Sequence, residues 1–269
     1  EYIPARAGHV NGETRFVLDY FGMEEPALVE DVRTQVRDIE IRKTKGVADN
    51  ISLKRAWNIM QENNVVTIPA VREDGTLEGL ITVGDITKTY MNIYDSSILS
   101  KANTQYSNII ETLEADLVIG TADAYFSQGK VLIAASSPEV MEQSVEQNDL
   151  VILGNRYESQ LCAIEMGADC IIVCEGAGVS MTIKKIAQER GCTVITTPYD
   201  TYTAARLINQ SMPISYFMKT ENLITFEDGD FIDDIKDVMA SKRHRDFPIL
   251  DKDGKYRGMI SRRNLLGAR

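Results

Sequence analysis

The hydrophobic pattern of the chain is most telling where an apolar run gives way to a hydroxyl and then a carboxylate, at Gly79-Leu80-Ile81-Thr82-Val83-Gly84-Asp85-Ile86. The apolar part predicts a buried strand, with Thr82 and Asp85 at the break into the next helix. The pattern returns near the other end as Gly258-Met259-Ile260-Ser261-Arg262-Arg263-Asn264-Leu265. Met60 and Met239, Pro69 and Pro248, Thr82 and Ser261, and Asp85 and Asn264 share one offset (264 − 85 = 179). A constant offset means an ungapped internal repeat, which is a fold signal in its own right.

Each copy reads β-α-β-β-α. In the first, over 31–99, Asp31 to Ile41 is an extended, charged lead-in. Ser52 caps a predicted helix with apolar positions Leu53, Ala56, Trp57 and Met60, ended by Asn63-Asn64. Val65 to Val71 reads as a strand with Pro69 at its rim, Glu73-Asp74-Gly75 as a turn, and the closing helix runs through Tyr90. In the second, over 212–269, the helix stripe is Phe231, Ile232, Ile235, Val238 and Met239. Asp246 to Leu250 is the strand and Asp251-Lys252-Asp253-Gly254 the turn.

Between the copies, over 100–211, short apolar runs alternate with helical segments. The predicted strands are Leu117–Gly120, Lys130–Ala135, Leu150–Gly154, Cys170–Cys174 and Thr193–Thr196; the helices are Pro138–Gln147, Tyr157–Met166 and Ser180–Arg190. This predicts an α/β insert with a mainly parallel sheet. Glu175-Gly176-Ala177-Gly178-Val179-Ser180 follows a strand and opens a helix, where a phosphate or a plain tight turn is expected. Ahead of the first repeat, over 1–30, Phe16, Val17, Tyr20 and Phe21 have helical spacing and Gly22 ends the helix. Such a lone amphipathic helix needs a partner surface.

The net charge of −11 argues against a general binder of nucleic acid or anionic membrane. No apolar stretch is long enough to span a bilayer and no signal peptide is visible, so the expected compartment is cytoplasmic. The chain opens at Glu1 in mid-pattern and reads as part of something longer. The four cysteines, Cys162, Cys170, Cys174 and Cys192, lie in apolar segments and read as buried reduced thiols. The candidate chemistry is at the strand–helix corner. A carboxylate there can accept from the vicinal hydroxyls of a ribose, and a hydroxyl with exposed N–H groups can hold a phosphate. The plain alternative is a helix cap.

The two copies resemble cystathionine β-synthase-type (CBS) domains, through Ile68-Pro69-Ala70-Val71 with Gly79–Ile86 and Phe247-Pro248-Ile249-Leu250 with Gly258–Leu265. The insert resembles the DRTGG domain, through Gly154 to Gln160 and Ala163 to Asp169, with the naming motif degenerate at Glu175-Gly176-Ala177-Gly178. The order CBS–DRTGG–CBS, with Ala5-Arg6-Ala7-Gly8 and Glu13 to Phe21 ahead of it, is similar to the regulatory region of family II inorganic pyrophosphatases of the DHH superfamily. The implied fold is mixed α/β: two CBS domains paired by pseudo-twofold symmetry, with an inserted DRTGG domain. The implied ligands are adenine nucleotides, with AMP and ADP inhibiting and ATP or diadenosine polyphosphates activating. The implied partners are a second copy in a homodimer and catalytic DHH domains of the same polypeptide, an inorganic diphosphatase using Mn²⁺, Co²⁺ or Mg²⁺. The only two histidines, His9 and His244, are far apart, so this chain alone is predicted not to hydrolyse pyrophosphate.

By the same resemblance, Asp85 is expected on the ribose hydroxyls. Thr82 and the backbone of Val83 and Gly84 are expected on ribose or phosphate, and Ile68 and Pro69 wall the base. Val65 and Val66 lie where that family turns backbone to the ligand. Lys219 and Thr220 open the second repeat with a cation and a hydroxyl, and Ile224 packs on the base. The basic edge Lys242-Arg243-His244-Arg245, followed by Asp246, is expected to meet phosphate oxygens; a solvated helix end is the alternative. Ser261, Arg262 and Asn264 form a second, weaker site, since Asn lacks the charge that strengthens a bond to ribose. The rival reading is a structural dimerisation module with degenerate pockets.

Overall fold

A computed structural model of the chain describes residues 3–91, 95–134, 137–242 and 244–266. Arg243 and Ala135 lie outside the described residues. Two compact units are present: Glu1–Lys43 with Ile224–Asp253 and Arg257–Arg269, and Thr44–Leu223 with Gly254–Tyr256.

The larger unit holds the first repeat and the insert. Ser52 Oγ accepts from Arg55 N at 3.0 Å and starts the helix Leu53–Glu62, which buries Leu53, Ala56 and Met60. Trp57 is 41% exposed, because it lies at the edge of the arc that those three residues centre. Asn63 and Asn64 end the helix, Asn64 at φ +50°. Strand Thr67–Val71 pairs antiparallel with Leu77–Thr82, with Thr67 opposite Thr82 and Ile68 opposite Ile81. Val47 makes a single parallel bridge to Ala70 and supplies the opening β position. The helix Val83–Met91 closes the repeat.

The insert is a five-stranded sheet in the order Asp116–Ile119, Thr193–Thr196, Cys170–Val173, Leu150–Leu153, Val131–Ile133. Only the edge strand Asp116–Ile119 runs antiparallel to its neighbour. Alternate residues divide between two cores, as strand geometry requires. Ile152, Cys170, Ile172, Cys174 and Ile195 join Leu53, Met60, Ile68 and Ile81 in one cluster, so insert and first repeat share a core. Val151, Leu153, Ile171, Val173 and Val194 pack on the other face, against the helices Pro138–Ser144, Tyr157–Glu165 and Met181–Arg190. All four cysteines are buried and unpaired. Burial, chiefly, pushes the thiols of Cys174 and Cys192 up to about 12.

The smaller unit holds the second repeat: a sheet of Phe226–Glu227, Asp246–Leu250 and Tyr256–Ser261 with the helices Ile232–Ser241 and Arg262–Leu266. Ile232, Ile235 and Met239 are buried and Val238 is partly so. Phe231 is the residue before the helix, lying 3.8 Å under the guanidinium of Arg33. In the same unit the helix Gly12–Tyr20 is capped by Asn11 and followed by Gly22 at φ +62°; none of its residues is buried.

The stretches that open the two repeats are exchanged, which periodicity alone did not reveal. Arg42, in the opening stretch of the first repeat, pairs with Met259 of the second: Arg42 N donates to Met259 O at 3.0 Å and Met259 N to Arg42 O at 2.8 Å. Lys219, in the opening stretch of the second repeat, pairs with Leu80 of the first: Leu80 N donates to Lys219 O at 2.9 Å and Lys219 N to Leu80 O at 2.8 Å. Each visiting backbone passes over a glycine. A Cβ on Gly79 would lie 2.8 Å from Lys219 O, and one on Gly258 2.9 Å from Arg42 O.

Gly79→Ala and Gly258→Ala should therefore each cost about 1–3 kcal/mol in urea unfolding, because a backbone oxygen cannot retreat without breaking the pairing. Unchanged midpoints in both would show that the exchanged pairings are not tight. Iodoacetamide at about pH 8 should label none of the four thiols in the native chain and all four in urea, as intact mass would report.

Candidate functional site

The corner at Thr82–Asp85 is a reciprocal helix cap. Thr82 N and Oγ1 donate to Asp85 Oδ2 at 2.9 and 2.7 Å, and Asp85 N donates to Thr82 Oγ1 at 3.2 Å. The plain reading of Thr-x-x-Asp is thus correct, yet it consumes only one carboxylate oxygen. Among the described residues nothing donates to Asp85 Oδ1, and the side chain is half-buried. The cap therefore presents a carboxylate in a fixed orientation with an open acceptor.

The expected neighbours fall out unevenly. The N–H of Val83 is taken by Val66 O at 3.0 Å and its carbonyl by Thr87 Oγ1 at 2.8 Å, so both backbone groups are engaged. Gly84 is exposed. Val65 is buried with its N–H on Met60 O, whereas Val66 is exposed. Ile68 and Pro69 are buried, and Ile68 has no exposed surface; it packs in the core. Lys219 and Thr220 are exposed on the strand paired beside Leu80.

The second repeat has the corresponding cap with serine for threonine and an amide for the carboxylate. Ser261 N and Oγ donate to Asn264 Oδ1 at 3.0 and 2.8 Å. The amide that replaces the free carboxylate oxygen is spent: Asn264 Nδ2 donates to Glu40 O at 3.1 Å, on the visiting lead-in. Arg262 is exposed, and its Nη2 donates to Met239 O at 2.7 Å at the end of the helix Ile232–Ser241. The carboxylate of Asp246 is buried and paired with Arg42 at 3.1 Å. Its role in this structure is to hold the lead-in, which sequence reasoning missed. His244 and Arg245 are exposed, the imidazole edge-on to Phe247 at 6.2 Å, and Ile224 is half-buried against the core.

The glycine loop of the insert is a tight turn. Glu175 and Gly176 adopt φ +62° and +64°, and their N–H groups donate to Tyr199 O and Thr197 O, so neither is free for a phosphate. Ser180 caps the following helix by accepting from Ile183 N. Among the described residues no group of three or more His, Cys, Asp or Glu could hold a metal ion, and no helix is long and apolar enough to cross a membrane.

Two β-α-β-β-α copies, each with a capped corner, are the mark of a CBS pair, and the comparisons agree. The CBS domain family matches residues 36–92 and 214–269, and the DRTGG domain family residues 108–211. The chain belongs to the CBS–DRTGG regulatory regions of family II inorganic pyrophosphatases. It is 39% identical, over 98% of its length, to the cobalt-dependent inorganic pyrophosphatase of Clostridium perfringens, covering 48% of that protein. It is 28% identical over 98% to a probable manganese-dependent inorganic pyrophosphatase of Thermotoga maritima, again covering 48%. The chain thus spans about half the length of these curated relatives. A crystal structure of the CBS and DRTGG domains of the regulatory region of the C. perfringens pyrophosphatase, complexed with the activator diadenosine tetraphosphate, matches with TM-score 0.81 at 38% identity. It covers 86% of this chain and 100% of that one.

Asn264→Asp should destabilise the chain by about 1–3 kcal/mol, because it sets a carboxylate oxygen against the Glu40 carbonyl in place of a donor. Asp85→Asn should change stability far less, since Oδ1 of an asparagine can keep the cap. Equal urea midpoints for the two variants would contradict this asymmetry.

Proposed function

We propose that this chain is the adenine-nucleotide-sensing regulatory region of a cobalt- or manganese-dependent inorganic pyrophosphatase. The likeness to a regulatory region solved with diadenosine tetraphosphate carries this reading. In it, Asp85 Oδ1 accepts from a ribose, a charge-assisted bond of the stronger kind. Thr82 and Gly84 face the sugar or its first phosphate, Val66 faces the base, and Lys219 and Thr220 add a cation and a hydroxyl. Within the smaller unit, the exposed Arg245 and His244 are the groups for phosphate oxygens. The Ser261–Asn264 corner takes no second nucleoside of comparable affinity, because its amide already serves Glu40.

Regulation then follows from differential affinity: a ligand shifts a protein between two arrangements only as far as it binds one better than the other. AMP and ADP inhibit and ATP or diadenosine polyphosphates activate, the longer ligands reaching two equivalent corners of a homodimer. Catalytic DHH domains carrying Mn²⁺, Co²⁺ or Mg²⁺ belong to the rest of the same polypeptide, and the compartment is the cytoplasm. This chain by itself turns over no pyrophosphate.

Calorimetry with AMP and with diadenosine tetraphosphate should give saturable heat. Asp85→Ala should weaken both by about tenfold or more, the worth of one charge-assisted bond, and Arg245→Ala should weaken the tetraphosphate more than AMP. No heat from either ligand in the wild type would favour the structural dimerisation reading, and unaltered affinity in Asp85→Ala would remove that carboxylate from the site.

A further inference from the structure

The insert contains a cavity of about 590 Å³ at the amino-terminal ends of the strands Cys170–Val173 and Thr193–Thr196. This is the opposite edge from the carboxyl ends, where ligands of open α/β sheets usually bind. Its one formally charged group among the described residues is a carboxylate. Asp169 presents its carboxylate there, held by the hydroxyl of Tyr106, which is 1% exposed and donates to Oδ2. Burial first, and then the neighbouring thiol of Cys170 and carboxylate of Asp169, push the phenol of Tyr106 up, so it remains a proton donor. Oδ1 of Asp169 accepts from nothing among the described residues. Thr193, 7% exposed, lines the same space, and its hydroxyl has no partner among the described residues. The helix Met181–Arg190 ends at this cavity with Gly191 at φ +69°, bringing the negative end of its dipole. Among the described residues no lysine or arginine lines it.

A second cavity, of about 230 Å³, shares Tyr125 with the first. It holds one half-buried carboxylate, Asp49, with the amides of Asn103, Gln105 and Asn108, and again no lysine or arginine among the described residues. Neither space offers an anion a cationic side chain among the described residues. Two cavities, each with one carboxylate and no lysine or arginine among the described residues, and joined at an aromatic ring, suit a ligand with two or more separated positive charges and an apolar spacer.

We propose that these cavities bind an elongated organic polycation of the diamine or polyamine class, one ammonium at Asp169 and Thr193, another at Asp49, with the methylene spacer along Tyr125. The site lies wholly within the larger unit and is independent of the corner at Asp85.

Spermidine, putrescine and uncharged 1,4-butanediol, titrated by calorimetry into the full chain, test this. Spermidine should bind better than putrescine, and butanediol should give no heat. Asp169→Asn keeps an acceptor for Tyr106 and should weaken spermidine by about tenfold. Asp49→Asn should weaken spermidine more than putrescine. Thr193→Val, which removes only the free hydroxyl, is the second variant should Asp169→Asn fail to fold, and it should weaken both amines. Glu158→Gln removes one exposed negative charge elsewhere and serves as the control for net charge. No spermidine heat, or equal losses in Glu158→Gln and in the cavity variants, overturns the proposal, the latter by showing only diffuse attraction to an acidic chain.

Discussion

The architecture depends on two backbones passing in contact. Lys219 and Arg42 each lie over a glycine of the repeat that they do not belong to in sequence, and each exchanges two hydrogen bonds there. In the larger unit this gives Leu77–Thr82 partners on both sides, which fixes its register; a slip of one residue would turn Ile81 out of the core. The end of that strand is then fixed as well, and with it the corner where Thr82 and Asp85 cap the next helix. The carboxylate of Asp85 is therefore positioned by packing far behind it, not by the loop in which it stands.

The same device explains why the two corners differ. In the smaller unit the visiting strand brings Glu40 O within 3.1 Å of residue 264, where a carboxylate would set acceptor against acceptor and an amide donates. Asparagine stabilises the lead-in there and loses the open anionic oxygen. At position 85 the carboxylate keeps one oxygen on the cap and one unclaimed. The change from carboxylate to amide separates a joint to the lead-in from a corner with an unclaimed oxygen, though in both the side chain of the fourth residue accepts from the first.

Much of this was legible in the chain itself. The common offset, the glycine-ended turns, the Ser52 cap and the five strands of the insert all follow from local chemistry and periodicity, and they stand in the structure with ends shifted by a residue or two. What periodicity could not carry was any pairing between distant segments. The exchange of lead-ins, the ion pair of Arg42 with buried Asp246, and the Tyr106–Asp169 contact join residues far apart in sequence through one or two bonds each. Trp57 shows a second limit: helical spacing placed it on the stripe, but the width of the buried arc is set by what packs against it. Arg262 shows a third: no periodicity could tell that its Nη2 also closes the end of the helix Ile232–Ser241.

The borrowed strands also bear on how such a chain can be divided. A polypeptide carrying one copy of the repeat and its own leader would have an uncovered sheet edge and a leader with nothing to cover. Both needs are met if two such molecules lend their leaders to each other, so a single repeat cut out with its own leader should pair with a second copy rather than stand alone.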